Sequence, residues 1–125
     1  MNAARLCLAL TAFLLTTDTS LADDVLGTWA RDNGALHVKF VPCGDAICGN
    51  IVWLKPGAET KAKVGQRLFF DMRPDGPNSW TGKATNPGDG SIYSGKMSIE
   101  GAMLSTSGCV IGGLICKSAH WKRGP

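Results

Sequence analysis

The chain is short of the residues that do chemistry. In 125 residues it has two histidines and one tyrosine, and Asp, Glu, Lys and Arg together make up 18%. It has no Gly-x-Ser-x-Gly, no His-Glu-x-x-His and no glycine-rich phosphate loop, so common hydrolase, zinc-protease and nucleotide-binding signatures are missing. Basic clusters are missing too. Thirteen basic residues against ten acidic ones give a net charge of +3. The lysines (Lys39, Lys55, Lys61, Lys63, Lys83, Lys96, Lys117, Lys122) are spread among acids and hydroxyls, so no nucleic-acid partner is expected. Helical periodicity is poor throughout, and the only long apolar run stands at the very start.

That run belongs to a targeting segment. Met1 to Arg5 carries one positive charge, Leu6 to Leu15 is apolar except for Thr11, and Ser20-Leu21-Ala22 has small residues at its first and third places. This is the order of a secretory signal peptide over residues 1–22, cut after Ala22. A run of ten residues is too short for a spanning helix, which needs about 20. Cys7 precedes most of the run rather than following it, which disfavours a lipid anchor there. Removing 22 of 125 residues leaves 103, from Asp23 to Pro125, enough for a single domain with one core. The expected address is periplasmic, with no membrane span after cleavage.

Cleavage removes one of five cysteines and leaves Cys43, Cys48, Cys109 and Cys116. An even number in an exported chain reads as two disulfides, and four cysteines allow three pairings. Between Cys109 and Cys116 lies Val110-Ile111-Gly112-Gly113-Leu114-Ile115; a two-residue turn at Gly112-Gly113 sets the two cysteines opposite one another. Directly opposed residues lie within disulfide reach. Cys43 and Cys48 bracket Gly44-Asp45-Ala46-Ile47, read as a four-residue hairpin loop. The expected pairs are therefore Cys43–Cys48 and Cys109–Cys116. Zinc sites usually leave two to four residues between paired ligands and redox pairs favour Cys-x-x-Cys; gaps of four and six residues disfavour both.

What is abundant is glycine, sixteen residues of it, among short stretches of apolar-polar alternation. Eight strands are expected: 26–31, 35–43, 47–54, 67–72, 79–85, 91–100, 102–110 and 114–123. Asp32-Asn33-Gly34, Arg73-Pro74-Asp75-Gly76-Pro77 and Asn86-Pro87-Gly88-Asp89-Gly90 supply turns. Residues 55–66 form the one long connection. Eight strands joined in sequence suggest an all-β antiparallel meander closed into a small barrel, which removes its free edges; two packed sheets are the alternative.

Gly27-Thr28-Trp29 opens the first of these strands, and Trp121-Lys122-Arg123 ends the last. The pair resembles the calycin and lipocalin pattern, in which Gly-x-Trp packs beneath a basic residue of the final strand. That resemblance implies barrel closure by Gly27, Trp29, Trp121 and Arg123, with the guanidinium stacked on the indole. Longer segments go further. Pro42-Cys43-Gly44-Asp45-Ala46-Ile47-Cys48-Gly49, Met72-Arg73-Pro74-Asp75-Gly76 and Gly108-Cys109 through Cys116 closely resemble a family of exported bacterial proteins known as domain of unknown function 2147. Membership implies a calycin-like barrel, a periplasmic address and no established activity. The 55–66 connection looks shorter than that family's usual loop.

The functional reading favours a barrel that binds a small apolar ligand, with Trp29, Phe40, Trp53, Phe69 and Trp80 as candidate lining residues. Its alternative is a structural or protein-interaction module of the cell envelope whose barrel is fully packed. By analogy with calycin loops, a pocket is expected to open at 55–66. An enzyme is not expected. No catalytic residue, metal ligand or cofactor is assigned; His37 shares a polar face with Lys39, and His120 adjoins Trp121.

Overall fold

A computed structural model of the chain describes residues 24–110 and 112–125. The expected leader, residues 1–22, lies outside them, as does Ile111, which precedes the expected Gly112-Gly113 turn. After a 3₁₀ turn at Asp24–Val25 come eight strands. They are β1 (Gly27–Arg31), β2 (Leu36–Cys43), β3 (Ala46–Leu54), β4 (Arg67–Pro74), β5 (Ser79–Thr85), β6 (Ile92–Glu100), β7 (Met103–Val110) and β8 (Ile115–Arg123). Each pairs antiparallel with the next, and β8 returns to β1, so the sheet is a closed barrel. No described helix is long and apolar enough to cross a membrane.

Closure gives the barrel two distinct ends. The β2–β3, β4–β5 and β6–β7 turns gather at one end with the N-terminal 3₁₀ turn. The other four connections gather at the opposite end. Inward side chains near the first end are large: Trp29, Phe40, Met72, Trp80, Met97 and Leu104 are all buried. They fill the interior and seal that end. Glycine makes two of these close approaches fit. A Cβ on Gly49 would stand 2.6 Å from the Phe40 ring, so glycine is what lets that ring lie flat against β3. A Cβ on Gly82 would stand 2.4 Å from the Asp71 carbonyl oxygen, where β4 bulges toward β5.

Both hairpin disulfides are present, with the expected pairs Cys43–Cys48 and Cys109–Cys116. Cys109 faces Cys116 directly, and Gly112 and Gly113 both have positive φ, as a type I′ turn requires. The first hairpin corrects the sequence reading. Its loop has two residues, not four, because Cys43 opposes Ala46. Gly44 alone of the two loop residues has positive φ, which fits a type II′ turn. The disulfide thus runs diagonally, from Cys43 to the residue opposite Val41.

Trp53 requires a second correction. Alternation along β3 places it with Ile51 inside the barrel. Instead Ile51 is buried and Trp53 is 38% exposed. The register shifts at this point: Val38 pairs with Ile51, but His37 pairs with Trp53, so Val52 is an extra residue. One inserted residue reverses the face of everything beyond it. Trp53 therefore lies outside, stacked on His37 with ring centroids 4.5 Å apart. Phe70 also faces outward, opposite Lys83.

Candidate ligand-binding site

Near the open end, the inward positions of β5, β7 and β8 carry Ala84, Gly108 and Ala119. Small side chains leave space there that tryptophan and methionine occupy further down. The result is a cavity of about 380 Å³ reaching the open end, inside the range of small-molecule pockets. Its apolar walls are Leu36, Leu68, Phe69, Ala84, Ala119 and Trp121. The turn after β5 (Asn86, Pro87), Tyr93 and Lys117 shape its mouth.

Along the seam of β1 and β8, beside and below the cavity, runs a reciprocal arrangement. Trp29 and Arg31 stand two apart on β1, and Trp121 and Arg123 two apart on β8. Antiparallel pairing sets Trp29 opposite Arg123 and Arg31 opposite Trp121. The Arg123 guanidinium lies 4.1 Å from the Trp29 ring centroid and that of Arg31 5.6 Å from Trp121. Arg123 also donates to the Leu26 carbonyl at 2.7 Å and to the Asp24 carbonyl, tying the N-terminal turn over the sealed end. The indoles are anchored as well: Trp29 Nε1 donates to the Val25 carbonyl and Trp121 Nε1 to the Thr106 hydroxyl, both at 2.9 Å. The lower pair closes the barrel, and the upper pair forms part of the cavity wall.

Polar side chains share the lining, among them Arg31, Asn86, Tyr93, Thr106 and Lys117, and the Thr106 hydroxyl is already taken by Trp121. Arg31 Nε is buried without a hydrogen-bond partner, although the Asp32 carboxylate lies 3.7 Å away. At the mouth, Asn86 Nδ2 donates to the Tyr93 hydroxyl at 3.1 Å, and the hydroxyls of Ser91 and Tyr93 hydrogen-bond at 3.0 Å. Ser91 and then Asn86 hold the Tyr93 phenol below its usual range. The Ser91 hydroxyl and backbone likewise hold the Asp89 carboxyl below the carboxylate range.

Of the sequence candidates, Phe69 lines this cavity. Trp29, Phe40 and Trp80 are buried in the packed lower core, and Trp53 is outside. No residue of the 55–66 connection lines the cavity. That connection folds against β3 through Gly65 and Gln66 and buries Ala62 in the core. The mouth is set instead by the β5–β6 turn and the start of β8. Arg31, Leu36, Leu68, Tyr93 and Lys117 were not anticipated. A signal for Arg31 was present, since the Trp-x-Arg spacing of the last strand recurs in the first.

The histidines do not meet. Both lie on the outer face, His37 on β2 and His120 on β8, with β1 between them. His120 opposes Ser105 and lines a hydroxyl-rich outer concavity of about 430 Å³ with Ser79, Thr81, Lys96, Ser98 and Ser107. No cluster of three or more His, Cys, Asp or Glu suited to a metal occurs among the described residues.

A closed eight-stranded meander, sealed by Trp–Arg stacking at one end and hollow at the other, defines a lipocalin-like barrel. A family model matches residues 27–123, and the chain belongs to that family, described as uncharacterized proteins conserved in bacteria (DUF2147). Among solved structures, the chain is similar to protein HP1028 of the human pathogen Helicobacter pylori, described as belonging to the lipocalin family. The two share 18% identity over 81% of this chain and 83% of that one, with a TM-score of 0.64. This likeness bears on the fold. No curated protein matches the sequence.

Proposed function

We propose that the protein binds a small, mainly apolar molecule in the cavity at the open end of its barrel. The observation that carries this reading is the cavity itself, about 380 Å³ of space in a barrel whose other end is filled. A fully packed barrel has no reason to place Ala84, Gly108 and Ala119 where larger apolar side chains would bury more surface. Arg31 and Lys117, both in the cavity lining, offer hydrogen-bond donors to one polar group of such a ligand. The reading includes no catalytic step, and it includes export to the periplasm, as the N-terminal segment suggests.

Native mass spectrometry of the protein recovered from its own cell envelope tests this reading. The expected result is a bound small molecule, lost in Ala119→Phe, which fills the cavity from β8. Bare protein in every preparation, together with failure to bind any apolar fluorescent probe, refutes it.

A further inference from the structure

The large apolar side chains exposed on this barrel are not scattered. Among the described residues they are Val52, Trp53, Val64, Ile92, Leu114 and Ile115, from 38% to 82% exposed. All six belong to the open end. Val52 and Trp53 lie within two residues of the end of β3, and Val64 lies in the β3–β4 connection. Ile92 begins β6, Leu114 sits in the β7–β8 turn, and Ile115 begins β8. Isolated apolar residues on a surface are ordinary, but random placement would put some of them at each end.

Charge follows the same axis. Around the open end stand six cations, Arg31, Lys55, Lys61, Lys63, Arg67 and Lys117, against three carboxylates, Asp32, Glu59 and Asp89. Toward the sealed end that excess is gone. Five carboxylates, Asp24, Asp45, Asp71, Asp75 and Glu100, stand against Arg73, Lys122 and Arg123, with Lys39, Lys83 and Lys96 on the wall between the ends. The molecule is therefore apolar and positive at its mouth and carries no positive excess at its base.

We propose that the open end docks on the surface of an anionic lipid bilayer, with the cavity mouth turned toward the lipid. The apolar side chains sit on separate loop tips around a hole. Each can enter the headgroup boundary independently, whereas a protein interface would need a continuous packed core. Lysines on flexible stems reach the anionic headgroups while their aliphatic parts stay near the apolar layer. Trp53, an indole at the rim, has the amphipathic character found at membrane interfaces. Docking in this orientation opens the cavity to the phase where apolar molecules concentrate. It does not require the cavity to be occupied, so the docking and ligand-binding experiments fail separately.

The test is flotation of the processed, oxidised protein with vesicles of phosphatidylglycerol and phosphatidylcholine, compared with phosphatidylcholine alone. Binding is expected to the anionic vesicles and to fall in high salt. Trp53 is the one exposed tryptophan of four, so brominated lipid should quench a fraction of the fluorescence that Trp53→Phe abolishes. Lys61→Glu with Lys63→Glu should weaken binding by more than about tenfold, while Lys96→Glu with Lys122→Glu, an equal charge change away from the mouth, should alter it by less than about threefold. Leu114→Ser should weaken it without loss of fold, since Leu114 is 82% exposed. No binding to anionic vesicles, equal binding to neutral ones, or equal loss from both lysine pairs overturns the proposal. A protein partner seated on this end in a chain that ignores vesicles overturns it as well.

Discussion

Replacing Arg123 by lysine should destabilise the barrel far more than the same change at Arg31. Both arginines stack on a tryptophan of the neighbouring strand, and both substitutions keep the charge. They differ in what the guanidinium fork reaches. Arg123 lies 4.1 Å from the Trp29 centroid and donates through two nitrogens to the Leu26 and Asp24 carbonyls. Lysine supplies neither the plane nor the two-pronged geometry. Losing one or more hydrogen bonds from a charged donor and most of the stacking amounts to about 2–3 kcal/mol, discounted for the partial exposure of the site. Arg31 lies farther from its ring, at 5.6 Å, and its Nε makes no hydrogen bond, so Arg31→Lys should cost under about 1 kcal/mol. In a domain of this size the first change corresponds to a fall in Tm of roughly 10–15 °C and the second to less than roughly 5 °C. Thermal unfolding followed by circular dichroism, with disulfides intact, measures both. Equal shifts, or an Arg123→Lys variant within about 0.5 kcal/mol of the parent, refute the claim that the fork and its carbonyls seal that end.

Other outcomes follow from the same geometry. Gly82→Ala drives a Cβ to 2.4 Å from the Asp71 carbonyl oxygen, a backbone atom that cannot rotate away. It should cost about 2–3 kcal/mol by denaturant titration, whereas Gly108→Ala, whose nearest neighbour is 3.5 Å away, should be nearly neutral. Removing the Cys109–Cys116 bond by paired alanines should cost about 2 kcal/mol and speed amide exchange at the β7–β8 tip, leaving β2–β3 protected. Asp45 is held below the usual carboxylate range by Arg73, through a hydrogen bond and their charge attraction at 3.0 Å. A depressed folded-state pKa contributes stability above the unfolded value, which is lost as pH falls through the folded value. Tm should therefore drop less on acidification below pH 4 in Asp45→Asn than in the parent, by a small margin because the pair is exposed.

Strand positions were readable because turn residues and alternation agree along most of the chain. Ser79 to Thr85 matches its strand at both ends, and the Gly112-Gly113 turn fixes the register that brings Cys109 to Cys116. What escaped the sequence was irregularity. Nothing in Ile51-Val52-Trp53 announces that Val52 is an extra residue, because the bulge is settled by the pairing of β2 with β3. Its consequence is large, since it moves a tryptophan from the interior to the rim. Asp71, with φ of 51°, marks a similar break in β4 that only the presence of Gly82 opposite permits. The cavity was hidden for another reason. Its existence depends on small residues from β5, β7 and β8 coming to one level, and that level is set by the shear of the closed sheet.

The seam between β1 and β8 has a kinetic consequence. It holds three paired positions, Trp29 with Arg123, Ala30 with Lys122 and Arg31 with Trp121, where β7 and β8 share eight. Its partners are also the most distant in the chain, so joining them closes a loop of nearly the whole domain. A polypeptide released from its N-terminus onward has seven hairpin-linked strands free to form before Trp121 and Arg123 arrive. Until then it is an open ribbon with two bare edges, and its last three strand residues are the ones that turn it into a container.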